Sequence, residues 1–547
     1  MTTPVPDRGR IREAGDSALL LELAARIDPA VNSQAIAIAS AMRAARVPGV
    51  HDVLSAFRSV AVYFDPLTTE PGVVVDALER AARAPGVPRA GRLVEVPVRY
   101  GGANGPDLGD VAVWAGLTPD AVIGRHAERV YRVYMLGFMP GFAYLGTVDD
   151  AIAMPRRASP RVRVTAGSVG IAGRQTGVYP LESPGGWRVI GRTAARFFDP
   201  ARSPSTLVSP GDDVRFVRDG EGPQLPSWTF PGTAAVEHVP GPCVVVLQPG
   251  LLTTIQDSGR RGYQHLGVPV AGPLDEVSHR IANRLVGNDE SAAALEATIL
   301  GPALRVERDA VVAVAGADLS ATVDGAALPP GTARACRSGS EVRFGDRRTG
   351  ARAYLAIDGG FAATPVFGSQ ATHIRSGLGG LSGGPLRAGD RIPLGQAREA
   401  SSRRAAPVPP VTSGGTRLRV MPGPASEAID RKALEALVGT RFTVSPQSDR
   451  MGYRLSGSAV TRSDAGDAIS GPTFTGAIQV PPSGEPILLM ADRQTAGGYP
   501  QVATVISADI PMAGQLGPGD WVEFEVCSRV EAMAALRARM GTVRAIG

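Results

Sequence analysis

One short element of this sequence occurs twice, and it constrains the fold more than any other feature. Residues 173–180 read Gly-Arg-Gln-Thr-Gly-Val-Tyr-Pro, and residues 492–500 read Asp-Arg-Gln-Thr-Ala-Gly-Gly-Tyr-Pro. A degenerate third copy, Gly-Ser-Gln-Ala-Thr, stands at 368–372. A Gly-Asp turn and a strand-like segment follow each copy, and a repeat of this kind is one folding unit. Three related β-barrels are therefore predicted, with the Arg-Gln-Thr and Tyr-Pro groups lining a ligand site.

Composition agrees with a β-rich fold. The 547 residues include 67 Gly and 46 Pro, but only 5% are aromatic. Because Gly supplies positive φ and Pro fixes turn geometry, this mixture favours many short strands joined by tight turns. Residues 10–85 differ, since strand-like and helical patterns alternate there in the order β-α-β-α. That order predicts a small ferredoxin-like α/β domain, so the predicted fold class is mixed α+β and β-rich.

Segments rich in Pro and Gly indicate the boundaries between units. We predict an N-terminal α/β domain at 1–90, barrels at 91–220, 243–397 and 416–530, linkers at 221–242 and 398–415, and a C-terminal helix or tail at 531–547.

The cysteines and the apolar runs indicate a compartment. Cys243, Cys336 and Cys527 lie far apart, so they predict neither a disulfide framework nor a zinc site. The first residues lack an apolar signal region, and no run approaches the ~18 apolar residues of a membrane span. A cytoplasmic protein without a membrane partner is predicted.

The basic residues disfavour several functions. The formal charge of +5 comes from scattered arginines, which predicts no nucleic-acid partner. Lys432 is the single lysine of the chain. A P-loop and a Ser-Ser-Lys amidase triad each need a lysine within their own motif, and Lys432 does not lie in a biotin-carrier motif either.

One candidate site in the first half is the loop 137–145, Gly-Phe-Met-Pro-Gly-Phe-Ala-Tyr-Leu. Its Gly and Pro residues let the backbone approach a ligand closely, although a hydrophobic turn under a barrel explains the pattern equally well. His126 stands upstream on a predicted helix, where a lone histidine is more often structural than catalytic.

Clustered arginines form a second candidate. Arg157 and Arg161 precede the strand that begins near Ser168, and guanidinium forks suit a carboxylate or a phosphate. Solvated loop charge is the competing interpretation. Residues 183–193 add a Pro-Gly-Gly turn with Trp187 and two further arginines.

In the second half, polar residues crowd onto Gly-bounded loops. The segments 250–262 and 445–455 are two such loops, and Asp275 and Glu296 follow the first. Residues of this kind cap turns or bind ligands, and their number favours binding.

These motifs together resemble a known family. Gly-Phe-x-Pro-Gly-Phe-x-Tyr-Leu at 137–145, Gly-Arg-Gln-Thr-Gly-x-Tyr-Pro at 173–180, Ser-Pro-Gly-Gly-Trp at 183–187 and Gly-Arg-Thr at 191–193 resemble the B-type subunit of 5-oxoprolinase, also described as allophanate hydrolase subunit 1-like. The motifs of the second half resemble the C-type subunit, also described as carboxyltransferase-like: Thr-Thr-x-Gln-Asp-x-Gly-Arg-x-Gly at 253–262, Leu-Glu-x-Thr-x-x-Gly-Pro at 295–302, Ser-Asp-Arg-Met-Gly-Tyr at 448–453 and Asp-Arg-Gln-Thr at 492–495. The chain is thus similar to both subunits fused in order.

The resemblance implies cyclophilin-like barrels and the ATP-dependent opening of 5-oxoproline to glutamate, together with a separate A-type subunit of 5-oxoprolinase. ATP, with Mg²⁺, would phosphorylate the lactam oxygen, and arginines and backbone donors would stabilise the phosphoryl charge. The two Arg-Gln-Thr copies would form matching walls of facing barrels, and the third copy would keep only the fold.

Site roles follow from the resemblance as hypotheses. The catalytic candidates are His126, Gln175, Asp257, Asp492 and Gln494, of which Asp257 or Asp492 would hold Mg²⁺ or orient water; no protein metal site is assigned. The candidates for binding substrate or ATP are Phe138, Pro140, Gly141, Tyr144, Arg157, Arg161, Ser168, Arg174, Thr176, Tyr179, Gly185, Gly186, Trp187, Arg192, Thr254, Gln256, Arg260, Asp275, Glu296, Arg450, Met451, Tyr453, Gln479, Arg493, Thr495 and Tyr499.

Three positions depart from the family pattern. Thr165-Ala166 stands where the B-type pattern reads Val-Pro, Gly471 replaces an acidic residue, and Gln370 replaces an arginine. The lost charges leave the substrate open. Two other functions also stay open: a biotin-dependent carboxyltransferase component whose carrier comes in trans, and a binding module that regulates a sensor kinase. The sequence also leaves a homo-oligomer open.

Overall fold

The computed structural model describes residues 11–86, 90–220, 241–397, 405, 411, 413–424, 427–460 and 469–545. The N-terminal unit is an antiparallel sheet in the order β1-β2-β4-β3, with two helices on one face. Its elements are β1 Ile11–Glu13, β2 Ala18–Glu22, α1 Pro29–Ala44, β3 Val50–Ser55, β4 Ser59–Phe64 and α2 Pro71–Arg83. The predicted order β-α-β-α was wrong, because it missed β1 and β3. The observed order is the ferredoxin-like arrangement with one edge strand placed first.

Both faces of this sheet are covered. Alternate residues of a strand point to opposite faces, so Val62 packs on the helices while Tyr63 packs towards the rest of the protein. Helix α1 begins where Asp28 accepts hydrogen bonds from the amides of Ala30 at 2.8 Å and Val31 at 3.2 Å. The sheet of the N-terminal unit therefore lies between its own helices on one face and the neighbouring units on the other.

The next unit is a closed barrel of seven strands in the order β10-β7-β6-β13-β5-β12-β9. Its first and last strands, β5 and β13, pair in parallel and close the barrel. The elements are β5 Leu93–Tyr100, α3 Leu108–Ala115, α4 Pro119–Ala127, β6 Val130–Leu136, β7 Ala143–Gly146, β8 Arg161–Val164, β9 Ser168–Ala172, β10 Gln175–Val178, β11 Ser183–Gly185, β12 Arg188–Arg192 and β13 Asp213–Arg218. Strands β8 and β11 form a separate pair outside the barrel.

The middle unit consists of a six-stranded and a five-stranded sheet rather than the predicted closed barrel. The two sheets enclose one apolar core, to which Leu304 contributes from the first sheet and Leu355 from the second. The elements are β14 Cys243–Gln248, β15 Leu252–Gln256, α5 Glu276–Leu285, β16 Ala294–Thr298, β17 Ala303–Val306, β18 Ala310–Asp318, β19 Thr322–Val323, β20 Ala326–Ala327, β21 Thr332–Cys336, β22 Glu341–Arg343, β23 Thr349–Ile357 and β24 Arg391–Pro393. The degenerate third repeat therefore belongs to a sandwich.

The last barrel repeats the plan of the first. Seven strands close in the order β25-β32-β29-β30-β27-β26-β33, and β25 and β33 again pair in parallel. The elements are β25 Gly415–Pro422, α6 Glu427–Val438, β26 Phe442–Val444, β27 Gly452–Ser456, β28 Gly471–Pro472, β29 Ala477–Gln479, β30 Ile487–Leu489, β31 Ala496–Gly497, β32 Gln501–Val505, α7 Ile510–Gly514, β33 Trp521–Val526 and the C-terminal α8 Arg529–Arg544. Helix α8 packs on α5 of the middle unit.

The predicted fold class, a β-rich mixed α+β protein, is confirmed, with two closed seven-stranded barrels. Residues 221–240 of the first predicted linker and most of the second lie outside the described residues. Within the described part of the chain, no helix combines the length and the apolar character needed to cross a membrane.

Candidate functional site

The two barrels and the N-terminal sheet share one buried apolar cluster. It joins Leu54 and Tyr63 of the N-terminal sheet to Tyr144 of the first barrel and to Phe474 and Ala496 of the last. A Cβ atom added to Gly137 would lie 2.5 Å from the Cβ of Ala496, so the backbones of the two barrels approach closely here. The barrels therefore face each other, as the sequence predicted.

Aromatic residues form the first barrel's side of this interface. The ring centroid of Phe142 lies 4.9 Å from that of Tyr144 and 5.3 Å from those of Tyr179 and Trp187, with the rings edge to face. Such pairs gain stability beyond their buried area. Burial raises the pKa of Tyr144 to about 12, although a hydrogen bond with Ser470 of the last barrel opposes this. Several candidates from the loop 137–145 thus lie at the boundary between modules.

The two copies of the repeated element occupy different surroundings. Arg493 is 2% exposed and contacts other units of the fold, whereas Arg174 is exposed and pairs with Asp150 over 3.1 Å. The tyrosines show the opposite contrast, because Tyr179 is buried in the aromatic wall and Tyr499 is 44% exposed. The prediction of matching walls was therefore wrong: one copy meets the interface through its arginine and the other through its tyrosine.

A cavity of about 490 Å³, which we call the composite cavity, lies where the N-terminal unit, the middle unit and the last barrel meet. Polar side chains from all three units line it. They are Ser17, His51, Tyr63 and Asp65, then Ser258, Arg261, Gln264, Glu276, His279, Arg280, Glu290 and Ser291, and finally Thr475, Arg493 and Ser507. The cavity exists only because both fused halves of the chain contribute walls.

Arg493 occupies the centre of a hydrogen-bond network at this cavity. Its Nη2 donates to Oε1 of Gln264 at 2.7 Å, and its Nε donates to the carbonyl oxygen of Thr473 at 3.3 Å. The hydroxyl of Tyr63 donates to the same carbonyl oxygen at 2.9 Å. Burial lowers the pKa of Arg493, although its interactions with Tyr63 and Asp52 partly offset this effect. A buried guanidinium of this kind suits an incoming carboxylate or phosphate.

Two neighbouring residues of β3 complete the network. Asp52 accepts hydrogen bonds on Oδ2 from the amide of Gly262 at 2.9 Å and from Nε2 of Gln264 at 3.1 Å. Its Oδ1 is buried and accepts no hydrogen bond from any described residue, and burial raises its pKa to about 6. Burial lowers the pKa of His51 to about 3, and its buried Nδ1 also has no partner in the described part of the chain. His51 is therefore neutral at physiological pH.

The arginines of the composite cavity differ in how they are paired. Arg280 lies 3.5 Å from Glu276 and 3.4 Å from Glu290. Neither Arg261 nor Arg493 forms an ion pair within the part of the chain that the structure describes. Neither arginine is therefore held by a direct ion pair, although the nearby Asp52 carboxylate attracts the charge of Arg493.

Four predicted site residues form a buried network behind this cavity. Arg450 donates hydrogen bonds to both carboxylate oxygens of Asp492 at 3.0 Å and also donates to Glu296. Glu296 accepts from the hydroxyl of Tyr354 at 2.7 Å, and Asp275 accepts from Nε2 of Gln515 at 2.7 Å. Because the side chains of all four charged residues are at most 5% exposed, these contacts favour a bracing role between the middle unit and the last barrel.

Asp257 and Arg260 also lie inside the fold. Asp257 accepts hydrogen bonds from the hydroxyl of Ser369 at 2.6 Å and from the backbone amide of Gln370 at 2.5 Å. Gln370, which departs from the family pattern, thus contacts Asp257 through its backbone. Arg260 is 1% exposed and donates to the carbonyl oxygen of Ala371, while its Nε and Nη1 have no partner among the residues that the structure describes. Burial lowers the pKa of Arg260 to about 10.

His126 lies in the core of the first barrel. Its Nδ1 is 2.8 Å from the hydroxyl of Tyr100 and its Nε2 is 2.9 Å from Oγ1 of Thr176. Burial lowers its pKa to about 3. Both ring nitrogens are occupied by core residues, which favours a structural role for His126 and Thr176.

The predicted anion-binding arginines are paired within the protein. Arg161 donates to both carboxylate oxygens of Asp107, at 2.8 and 2.7 Å, and Arg157 donates to the same carboxylate at 3.1 Å. Burial acts to raise the pKa of Asp107, but hydrogen bonds from Arg161 and Val189 outweigh it and lower the value. Asp107 stands some fifty positions earlier, which is why the sequence pattern did not reveal this pairing.

The other candidates divide between the interface and internal contacts. Gln494 and Phe138 are half-buried near the inter-barrel boundary, and Thr495 has a buried hydroxyl that bonds to none of the described residues. Turn and core contacts hold Ser168, Gly185, Gly186, Arg192, Thr254, Gln256, Met451, Tyr453 and Gln479. Gly141 packs on residues 197–198 and 266, and Pro140 beside it is buried. At the remaining departures, Thr165 is half-buried and Gly471 pairs with Gly497 in β28 and β31.

Sequence reasoning missed the residues that the N-terminal unit supplies. His51, Asp52 and Tyr63 lie on ordinary strands and belong to no motif, and Gln264 lies just beyond one. The one available signal was the polar pair His51-Asp52 within an otherwise apolar strand. Among the described residues, no group of three His, Cys, Asp or Glu side chains is placed to hold a metal ion.

Comparison with known proteins agrees with this architecture. Residues 9–208 match the family described as carboxyltransferase domain, subdomain C and D, and residues 266–526 match carboxyltransferase domain, subdomain A and B. The crystal structure of TTHA0988 is 37% identical and superposes with a TM-score of 0.84 over 94% of this chain and 100% of that one. The fold and its composite cavity thus define a protein built from paired carboxyltransferase domains.

Two named relatives identify the family more specifically. The C subunit of 5-oxoprolinase from Escherichia coli is 38% identical over 290 residues, which span 53% of this chain and 93% of that protein. The B subunit of 5-oxoprolinase from Bacillus subtilis is 42% identical over 228 residues, which span 39% of this chain and 94% of that protein. The chain belongs to the family of the B and C subunits of 5-oxoprolinase and carries both in one polypeptide.

Proposed function

We propose that this chain is the combined B and C component of an ATP-dependent 5-oxoprolinase, which acts with a separate A-type subunit. It would activate the lactam of 5-oxoproline by phosphorylation for hydrolysis to glutamate. Family membership supports the reaction class. The single structural observation that supports it best is Arg493, a buried arginine that forms no ion pair among the described residues, at a cavity that both modules build.

The substrate's chemistry fits the composite cavity. 5-Oxoproline carries one carboxylate and a neutral lactam, and Arg493 with Arg261 supplies the positive charge that binds a carboxylate. Tyr63 of the N-terminal unit and Gln264 of the middle unit hold the Arg493 network in place. Orientation of the bound lactam by fixed groups lowers the barrier, because the alignment is achieved before the reaction.

The proposed reaction also needs ATP and Mg²⁺. ATP would supply the phosphoryl group when it is bound. Mg²⁺ usually binds through one or two carboxylates and the nucleotide phosphates, so a three-ligand protein cluster is not required. Asp65 is a half-buried carboxylate among the N-terminal residues that line the composite cavity, and it is a more accessible candidate than the braced Asp492.

The direct test is 5-oxoproline-dependent ADP release, measured on the purified chain with and without its A-type partner. The proposal expects release only when both proteins and 5-oxoproline are present. No stimulation by 5-oxoproline would exclude it. Inhibition of a sensor kinase without turnover would instead favour a regulatory binding module.

Substitutions then test the site. Arg261→Gln alters an exposed side chain and should lower kcat/KM by about tenfold or more, whereas Arg493→Gln should lower it further. Arg493→Lys keeps the charge but loses the planar fork, so it should restore only part of the activity. Arg215→Gln, on the outside of the first barrel, is the matched control and should leave kcat/KM unchanged.

The repeated element has a test of its own. Gln175→Ala and Gln494→Ala remove the equivalent amides of the two copies. If activity survives both substitutions, the element is structural and the catalytic assignment of these glutamines fails.

Carboxyl transfer is the second candidate, because both family descriptions name a carboxyltransferase domain. In that case the carboxybiotin would arrive on a separate carrier. Product formation that depends on carboxybiotin rather than on ATP would establish this function in place of lactam hydrolysis.

A further inference from the structure

A second cavity, of about 680 Å³, lies between the N-terminal unit and the first barrel. We call it the arginine cavity, because Arg129, Arg132 and Arg174 line it. Tyr134, Gln175 and Asp213 are among its other lining residues. None of these residues lines the composite cavity, so the two cavities are separate.

Arg132 is the best-placed cation of this cavity. Its Nε donates to Oδ1 of Asn32 at 3.0 Å and its Nη2 donates to the hydroxyl of Ser33 at 2.8 Å. Both partners are neutral, and Arg132 forms no ion pair among the residues that the structure describes. Two contacts to helix α1 therefore fix the guanidinium while its charge remains uncompensated.

Two neutral donors lie beside it. Tyr134 is 2% exposed, and burial raises the pKa of its phenol, so the hydroxyl stays protonated. Its hydroxyl and the side-chain amide of Gln175 form no hydrogen bond within the described ranges of the chain. A ligand that only accepts hydrogen bonds would satisfy both groups and Arg132 together.

The other two arginines of this cavity, Arg129 and Arg174, form exposed ion pairs. Arg129 lies 2.9 Å from Asp149 and Arg174 lies 3.1 Å from Asp150, with the arginines 47% and 65% exposed. Exposed pairs of this kind contribute little stability, so these side chains can turn to a ligand at small cost. Asp213 is the sole carboxylate among the described lining residues, against three arginines.

We propose that the arginine cavity binds the phosphate groups of an anionic ligand. A phosphate group offers several acceptor oxygens and two negative charges, which match guanidinium forks and neutral donors better than a single carboxylate does. The site is independent of the proposed lactam site, since it is lined by other residues. It assigns a binding role to Arg174 and Gln175, the copy of the repeated element that does not reach the composite cavity.

The test is calorimetric titration of the full-length chain with inorganic pyrophosphate and, separately, with ATP. Saturable binding is expected that weakens as salt is raised, because the attraction is partly screened. Arg132→Gln should weaken it by about tenfold or more, and Arg174→Gln by a smaller factor. Arg163→Gln, an exposed arginine paired with Glu182 outside the cavity, should bind like the unmodified chain.

Binding of both probes would indicate that phosphates alone are recognised, and binding of ATP alone would indicate a nucleotide. Either result supports the proposal if Arg132→Gln weakens it. Thermal unfolding checks that Arg132→Gln is folded; if it is not, the exposed Arg174→Gln variant decides. Failure of both probes to bind, or unchanged affinity in the folded arginine variants, would overturn the proposal. Neither 5-oxoproline nor the A-type partner is needed, so the outcome is separate from that of the lactam assay.

Discussion

The hydroxyl of Tyr63 donates a hydrogen bond to the carbonyl oxygen of Thr473, 2.9 Å away in space and 410 positions later in the chain. Nε of Arg493 donates to the same oxygen at 3.3 Å. One peptide group of the last barrel is therefore held from both sides, by the N-terminal unit and by the repeated element.

Tyr63→Phe removes only one of these two donors. The carbonyl of Thr473 keeps its bond to Arg493, so the free energy of unfolding should fall by about 0.5–1.5 kcal/mol. Urea denaturation provides the measurement. Tyr263→Phe removes a hydroxyl that has no such bond to the last barrel and should change the midpoint less. Equal effects of the two substitutions would show that the inter-module bond contributes nothing specific.

Gly137→Ala tests the closeness of the two barrels. The new Cβ would lie 2.5 Å from that of Ala496, which requires the backbones to separate. Overpacking of this kind costs about 1–3 kcal/mol, so both thermal stability and activity should fall. Gly109→Ala, in helix α3 where no atom lies within 4 Å of the new Cβ, should instead be neutral or stabilising. A fully stable Gly137→Ala protein would contradict the tight interface.

Arg450→Met leaves Glu296 and Asp492 buried without their shared cation. Uncompensated buried carboxylates are strongly destabilising, so a loss of about 3–5 kcal/mol is expected. The control is Arg375→Gln, which breaks an ion pair with Asp449 whose partners are 49% and 48% exposed. It should cost at most about 1 kcal/mol. Comparable melting temperatures for both variants would argue against a bracing network.

Asp52→Asn tests the buried carboxyl at the composite cavity. Burial raises the pKa of Asp52 from 3.8 to about 6, so the folded state holds more protons between these values. Its contribution to stability is therefore complete below the unfolded pKa and is lost as pH rises through the folded one. The stability of the unmodified protein relative to Asp52→Asn should fall between about pH 4 and pH 7.

Urea midpoints of both proteins across this range provide the measurement. His51 also titrates differently in the two states, but it is common to both proteins and cancels in the difference. A difference that stays constant with pH would show that Asp52 keeps an ordinary pKa.

The sequence predicted the β-rich class and the facing barrels because Gly-rich turns and repeated motifs are local features. It did not predict that the middle unit opens into two sheets, since strand closure depends on long-range pairing such as that of β14 with β24. The missed strand β3 has the same cause: its polar residues His51 and Asp52 suit a strand only because loop 262–264 covers them.

Residue type alone also could not separate binding groups from internal pairs. Arg161 and Arg493 read alike in the sequence, yet Asp107 forms an ion pair with the first, whereas the second forms none among the described residues and only feels Asp52 from a distance. His126 is a catalytic candidate from the sequence, but in the fold its two ring nitrogens contact the hydroxyls of Tyr100 and Thr176. The partner of a charged side chain is set by the tertiary fold, and motifs do not record it.

The N-terminal unit lies against both cavities: Tyr63 lines the composite cavity and Phe57 lines the arginine cavity. A shift of this single layer would reshape both walls at once. If a ligand in one cavity shifted this layer, binding at the two cavities would be coupled, and by thermodynamic reciprocity each ligand would then alter the affinity for the other by the same factor. The smallest unit of the chain is thus the part through which two separate cavities can communicate.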